Sequence, residues 1–221
     1  MRFYQELLAQ TQYEREAFLA IPLLRQGIAG EITLPQYLAF LGEAYHHVKH
    51  TLPLLMACGA RLPERLEWLR VAVSHYIEEE TGHQEWILND IRNAGGDAEA
   101  VRNGRPSLAT ELMVSYAWDT VQRRNPVGFF GMVLVLEGTS VRLATQAAEA
   151  IQRRLGLGQE CFSYLTSHGS LDVGHLEFFA GLMDRLKQPE DQEAVIHCAR
   201  VMYRLYGDIF RTLQEKEELV A

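Results

Sequence analysis

The sequence predicts an all-α protein, a single domain over residues 1–221 built from about seven helices. Three observations predict it. Apolar residues recur at helical spacing along most of the chain, no β-alternating run interrupts them, and Pro, Gly and Ser/Thr fall where helices would start and stop. No low-complexity stretch, linker or internal repeat divides the chain.

The elements follow in order. Phe3, Leu7, Leu8, Phe18 and Leu19 among Glu, Gln and Arg predict a first amphipathic helix, ended near Pro22. Gly27 to Gly30 reads as a loop. Thr33 caps a second helix with Pro35 in its first turn, where the missing N–H costs nothing. That helix runs to about Ala57, with Pro53 kinking it or ending its regular part, and stops at Cys58-Gly59. Pro63 opens a third helix ended by Asn93 to Gly96, and Gly95 to Pro106 reads as a loop. Ser107 caps a fourth, which ends at Arg123 to Asn125. Pro126 begins a long fifth helix to about Leu155. It is apolar nearly all round from Val127 to Leu136, as a helix inside the protein is. A sixth runs from Gln159 to Lys187, and a seventh from Pro189 to about Glu218.

Composition narrows the function. Of 221 residues 48% are hydrophobic, the content of a folded globular chain. A net charge of −8 argues against a non-specific grip on nucleic acid or on an anionic membrane, and the apolar run Val127 to Leu136 is too short to span a bilayer. Three separated cysteines, Cys58, Cys161 and Cys198, form neither a disulfide framework nor a Cys-x-x-Cys zinc pattern. The N-terminus has no signal-peptide core. The expectation is a soluble protein of a reducing cytoplasm.

One stretch carries chemistry: His168-Gly-Ser-Leu-Asp172-Val-Gly-His175. On a helix its two imidazoles and one carboxylate fall within an arc of roughly 60°, a stripe of nitrogen and oxygen donors suited to a first-row transition metal. A metal site in a helical bundle is assembled from inward side chains of several facing helices. The third helix offers Glu80-Thr-Gly-His83, a Glu-x-x-His pair, within the run Glu78-Glu79-Glu80, so which of the three glutamates is the ligand stays open. The fifth offers Glu137, directly after the apolar run, where a metal would offset the cost of burying a carboxylate. The second offers Glu43, flanked by Leu38, Leu41 and Val48. The candidate set is Glu43, Glu80, His83, Glu137, His168, Asp172 and His175. Two divalent cations would balance its four carboxylates, and the donors fit Fe(II) or Mn(II) better than structural zinc.

Other side chains read more plainly. His46, His47 and His50 follow Glu43 by three, four and seven residues. Ordinary polar packing is the favoured reading, with His47 the one best placed to face the metals. Tyr45, Tyr76 and Tyr164 read as core, as do Val127, Phe129, Phe130, Met132, Val133 and Leu136, with an apolar channel for an acyl chain as the alternative for the last six. Arg142 reads as the partner of a structural Glu, with a substrate carboxylate as the alternative.

With Glu80-x-x-His83, Glu137 late in a long buried helix, and His168-x3-Asp172-x2-His175, the chain resembles the haem-oxygenase-like di-metal oxidases. These include the UndA-type fatty-acid decarboxylases, the CADD-like proteins and the BesC-type amino-acid-cleaving oxidases, which share a seven-helix fold with TenA thiaminases and PqqC. The resemblance covers most of the chain. It implies a non-haem di-iron oxidase with two Fe(II) per chain and O2 as co-substrate. Glu80 and Glu137 would be the catalytic carboxylates, a small carboxylic or amino acid the substrate, and the assembly a homodimer. The fifth helix has no Lys after Glu137, so the self-consuming chemistry of CADD-like proteins is not expected. The alternative is a metal-independent, TenA- or PqqC-like enzyme of cofactor metabolism, for which Cys161 lies away from the expected nucleophile position.

Overall fold

In the computed structural model, residues 2–170 and 172–218 are described, and the side chains of 141, 142, 168–173 and 215–218 fall outside that description. The described residues form thirteen α-helices and no strand. They are α1 (Phe3–Gln10), α2 (Gln12–Leu19), α3 (Pro22–Ala29), α4 (Leu34–Val48), α5 (Thr51–Arg61), α6 (Glu67–Glu80), α7 (His83–Asn93), α8 (Ala98–Asn103), α9 (Leu108–Arg123), α10 (Phe129–Leu155), α11 (Ser163–Ser170), α12 (Asp172–Arg185) and α13 (Pro189–Glu218). Short 3₁₀ turns precede α6, α10 and α11.

The all-α class is as the sequence predicts, but the count of seven is corrected. Two prolines read as interruptions are beginnings instead. Pro22 is the first residue of α3, which ends on Gly30 in the left-handed conformation (φ +74°), so the expected loop is mostly helix. Pro53 lies in the first turn of α5, where it needs no N–H partner. The expected third helix breaks at Gly82, whose φ of +94° no other residue type adopts readily. Within the expected loop before Pro106, Asp97 caps α8 by accepting the Ala100 N–H at 2.9 Å. The predicted caps at Thr33 and Ser107 are present, Thr33 as a reciprocal capping box with Gln36.

Helix α10 runs through the core. Residues 127–135 on it and on the turn before it are all buried, and α13 packs along it through Val195, Cys198, Ala199, Met202 and Tyr206 at helical spacing. Gly131 sets how closely the two approach: a Cβ there would lie 2.5 Å from the Ala199 nitrogen and from the Val195 oxygen. Beyond its apolar half α10 bends, with residues 126–140 and 143–155 inclined by 42°. The bend follows Gly138-Thr139-Ser140, where Thr139 Oγ1 donates to the Val135 carbonyl and Ser140 Oγ to that of Glu137. Such back-bonding loosens a helix locally. No single helix among the described residues is long and apolar enough to cross a membrane.

Candidate active site

A cavity of about 670 Å³, mouth included, opens between α4, α5, α6, α10, α11 and α13. Its polar lining is His47, Thr51, Tyr76, Glu80, Glu137, Ser140, Tyr164 and Tyr206, set against an apolar wall that includes Leu55, Phe129, Met132 and Leu136. Each polar group is delivered by local structure. His47 lies in the last turn of α4 and packs edge-on against Tyr206, ring centroids 5.9 Å apart. Tyr76 and Glu80 are four residues apart on α6 and therefore share a face. Glu137 lies one helical turn beyond Val133 and shares its face with Ser140, just before the bend. Its Oε2 is buried.

Tyr164 is placed from a distance. Asp90 of α7, fully buried, accepts the backbone N–H groups of Ser163 and Tyr164 and the Ser163 hydroxyl, so a carboxylate caps the first turn of α11. Burial pushes the phenols of Tyr76 and Tyr164 well up, and Glu137, Glu79 and Glu80 add to the effect at Tyr76. Both therefore stay protonated donors at neutral pH.

The structure places the expected ligands as follows. Glu80 lines the cavity, and its Oε2 lies 2.9 Å from His83 Nδ1. The two do not share one helical face: Glu80 closes α6, His83 opens α7, and the Gly82 turn brings them together. His83 is buried against Trp86 behind Glu80 and is not itself among the lining residues. Glu78 and Glu79 are exposed, and Glu79 instead approaches His175, Nε2 to Oε1 3.4 Å. Glu137 lines the cavity as well. His168 and Asp172 have side chains outside the described residues, as has Arg142.

Glu43 is taken away from the cavity. Its buried carboxylate accepts the Ser107 N–H, the Ser107 hydroxyl and the Thr110 hydroxyl, and so caps the N-terminus of α9. One turn further along α4, His47 faces the cavity in its place. His47, Tyr76 and Tyr164, read as packing from the sequence, are thus part of the site. No spacing in the sequence separates an aromatic that lines a cavity from one that fills a core.

Among the described residues no group of three or more His, Cys, Asp or Glu side chains is already gathered to hold a metal ion. The donors that line the cavity, on His47, Glu80 and Glu137, are nitrogen and oxygen atoms of the kind that iron or manganese takes. None of the three cysteines lines the cavity. All are buried, and burial pushes the thiols of Cys58 and Cys198 up to about 12 and raises Cys161 as well, the opposite of an activated nucleophile.

Comparison with known proteins adds the family. No curated protein matches the chain. Solved structures share the fold at low identity. A domain of unknown function with a haem-oxygenase-like fold from Shewanella denitrificans OS217 is 24% identical, with 98% of this chain and 94% of that chain covered and a TM-score of 0.85. A TenA homologue from Pseudomonas syringae is 10% identical, with 96% and 92% covered and a TM-score of 0.82. A CADD-like protein from Nostoc punctiforme is 14% identical, with 96% and 97% covered and a TM-score of 0.76. A family model described as iron-containing redox enzyme matches residues 38–207, a span that holds every polar residue of the cavity. The chain belongs to this Haem_oxygenas_2 family of iron-containing redox enzymes.

Proposed function

We propose that the protein is a non-haem, iron-dependent oxidase that binds two Fe(II) ions and uses O2 to oxidise a small organic substrate in the cavity between α4, α6 and α10. The observation that carries this reading is that His47, Glu80 and Glu137, from three separate helices, line one cavity in a chain of an iron-containing redox family. His47, Glu80 and Glu137 would hold iron directly. His83 would support Glu80 through its Nδ1. His168, Asp172 and His175 would supply donors from α11 and α12.

Iron, when bound, supplies the redox chemistry with O2 that no side chain of this set has. The protein's own residues do the rest. Glu80 is oriented by His83, so it meets a cation without a search over rotamers. Glu137 follows the buried stretch 127–135 of α10 and would offer its carboxylate oxygens to a cation. Phe129, Met132, Val133 and Leu136 exclude water from the same cavity. Tyr76, Tyr164 and Ser140 place hydroxyls on its wall that can orient a substrate.

The test is to load the protein with Fe(II) under anaerobic conditions and mix it with O2 in a stopped-flow spectrometer. A transient visible absorbance with O2 uptake is expected, and both should disappear in the Glu137→Gln variant. Loaded protein that consumes no O2 would contradict the reading.

A further inference from the structure

Tyr76 lines the cavity on α6 with its hydroxyl unsatisfied. The residue is 3% exposed, and its Oη is buried with no hydrogen-bond partner. Its ring packs against Phe130 of α10, centroids 6.4 Å apart, and against Phe178 of α12, centroids 5.9 Å apart. Contacts from two other helices hold the ring, so the phenol cannot swing out to water. A donor that has lost water and gained no acceptor is costly, and a Phe at the same place would avoid that cost. Buried polar groups in folded chains are nearly always paired, so such a hydroxyl points to an acceptor that is not yet in place.

The neighbouring carboxylates narrow the choice of acceptor. Glu137, Glu79 and Glu80 all act on the Tyr76 phenol, Glu137 the most strongly of the three, and together they add to the upward push of burial. Glu79 is exposed and approaches His175, Oε1 to Nε2 3.4 Å. Glu80 already has its Oε2 at 2.9 Å from His83 Nδ1. Glu137 remains, and the fold sets it beside Tyr76. Phe130 and Glu137 are seven residues apart on α10, close to two full turns, so they stand on one face. The face that holds the Tyr76 ring therefore also carries the carboxylate.

We propose that Tyr76 is a positioning residue for Glu137: its Oη donates a hydrogen bond to the Glu137 carboxylate when that carboxylate turns to hold a cation. The inference rests on the iron reading of the cavity and adds the group that fixes the ligand from α10. Carboxylates that bind metals are themselves oriented by hydrogen bonds from neighbouring groups. The phenol stays protonated at neutral pH, so the donor is present whenever the cation is. Substrate contacts on the wall then fall to Tyr164 and Ser140.

The experiment is anaerobic Fe(II) titration of the full-length, metal-free protein, carried to millimolar metal so that weak binding is still read. Co(II) is the second probe, because its visible bands report the geometry of its ligands. Tyr76→Phe should weaken Fe(II) by about tenfold and alter the Co(II) bands. Its metal-free urea midpoint should not fall, since the deleted hydroxyl had no partner there. In Glu137→Ala the acceptor is gone, and adding Tyr76→Phe should weaken Fe(II) no further. In Glu80→Gln, adding Tyr76→Phe should again cost about tenfold. A lower metal-free midpoint in Tyr76→Phe would assign the hydroxyl to the fold and overturn the proposal. A Tyr76 effect that persists undiminished in Glu137→Ala would overturn Glu137 as the acceptor. Wild-type protein that takes up neither ion would defeat the iron reading and this inference with it. Wild-type uptake that Tyr76→Phe leaves unchanged would defeat this inference alone.

Discussion

Glu80 and His83 meet across a helix break: His83 Nδ1 lies 2.9 Å from Glu80 Oε2, although Thr81 and Gly82 separate the end of α6 from the start of α7. The contact depends on Gly82 at φ +94°, where a Cβ would find open space but a strained backbone. Gly82→Ala should therefore destabilise the protein by about 1–2 kcal/mol through backbone conformation alone, read as a lower urea midpoint. It should also weaken Fe(II) binding, because Glu80 and His83 lose their register. His83→Phe keeps a ring against Trp86 and removes both nitrogens. It should lower Fe(II) affinity by about 10- to 100-fold, and an unchanged affinity would remove His83 from the account.

Glu43 offers a sharper separation of structure from chemistry. Its carboxylate caps α9 and does not line the cavity. Glu43→Ala leaves the buried hydroxyl of Thr110 and the α9 terminus without their acceptor and should cost about 1–3 kcal/mol in chemical denaturation. Glu43→Gln, which keeps an oxygen acceptor, should bind the same number of Fe(II) ions per chain as the wild type. Loss of one ion in Glu43→Gln would return Glu43 to the metal site.

Acidification should unfold the metal-free protein in two stages. His50 is held below the ordinary histidine range, first by burial and then by Lys49, and its Nδ1 accepts the Trp118 Nε1–H at 3.3 Å. The folded value lies below the unfolded one, so the unfolded chain takes the proton first. Stability is complete above the unfolded histidine value of about 6.5 and falls as the pH drops below it. At Asp191 burial pushes the carboxyl up, but hydrogen bonds from Arg65 and Asn125 outweigh it and hold the group below the usual carboxylate range. Its contribution is present above the unfolded value of about 3.9 and is lost as the pH falls through the folded one. Urea midpoints should decline from about pH 6.5 downward and again below about pH 4. His50→Gln should flatten the first decline.

The fold was legible because its signals are local. Thr33 and Ser107 cap helices, Gly156 ends one, and the apolar run after Pro126 is the core helix, all as their neighbours in sequence imply. The finer divisions at Thr11, Lys49-His50 and Gly82 were not, since a helical hydrophobic pattern continues across a short break. Of the residues that line the cavity, Glu80 stands out in the sequence by its Glu-x-x-His spacing, and Glu137 because a carboxylate after an apolar run is costly unless something compensates it. Glu43 satisfies the same criterion, but its compensation comes from a helix end 64 residues away in sequence, which no spacing reveals. His47 and Tyr76 read as packing because ring side chains at helical spacing look alike whether they face a cavity or a core. Nothing in the sequence marks Asp90, whose partners Ser163 and Tyr164 lie more than seventy residues downstream.

The central claim is an iron centre built on His47, Glu80 and Glu137. The most direct measurement is anaerobic Fe(II) titration of the metal-free protein, with the same titration on His47→Leu and Glu137→Gln. The wild type should take up close to two ions per chain, as the proposed di-iron centre requires, and each variant should lose stoichiometry or at least tenfold in affinity. Wild-type protein that takes up no iron, or variants that bind it as the wild type does, would contradict the claim.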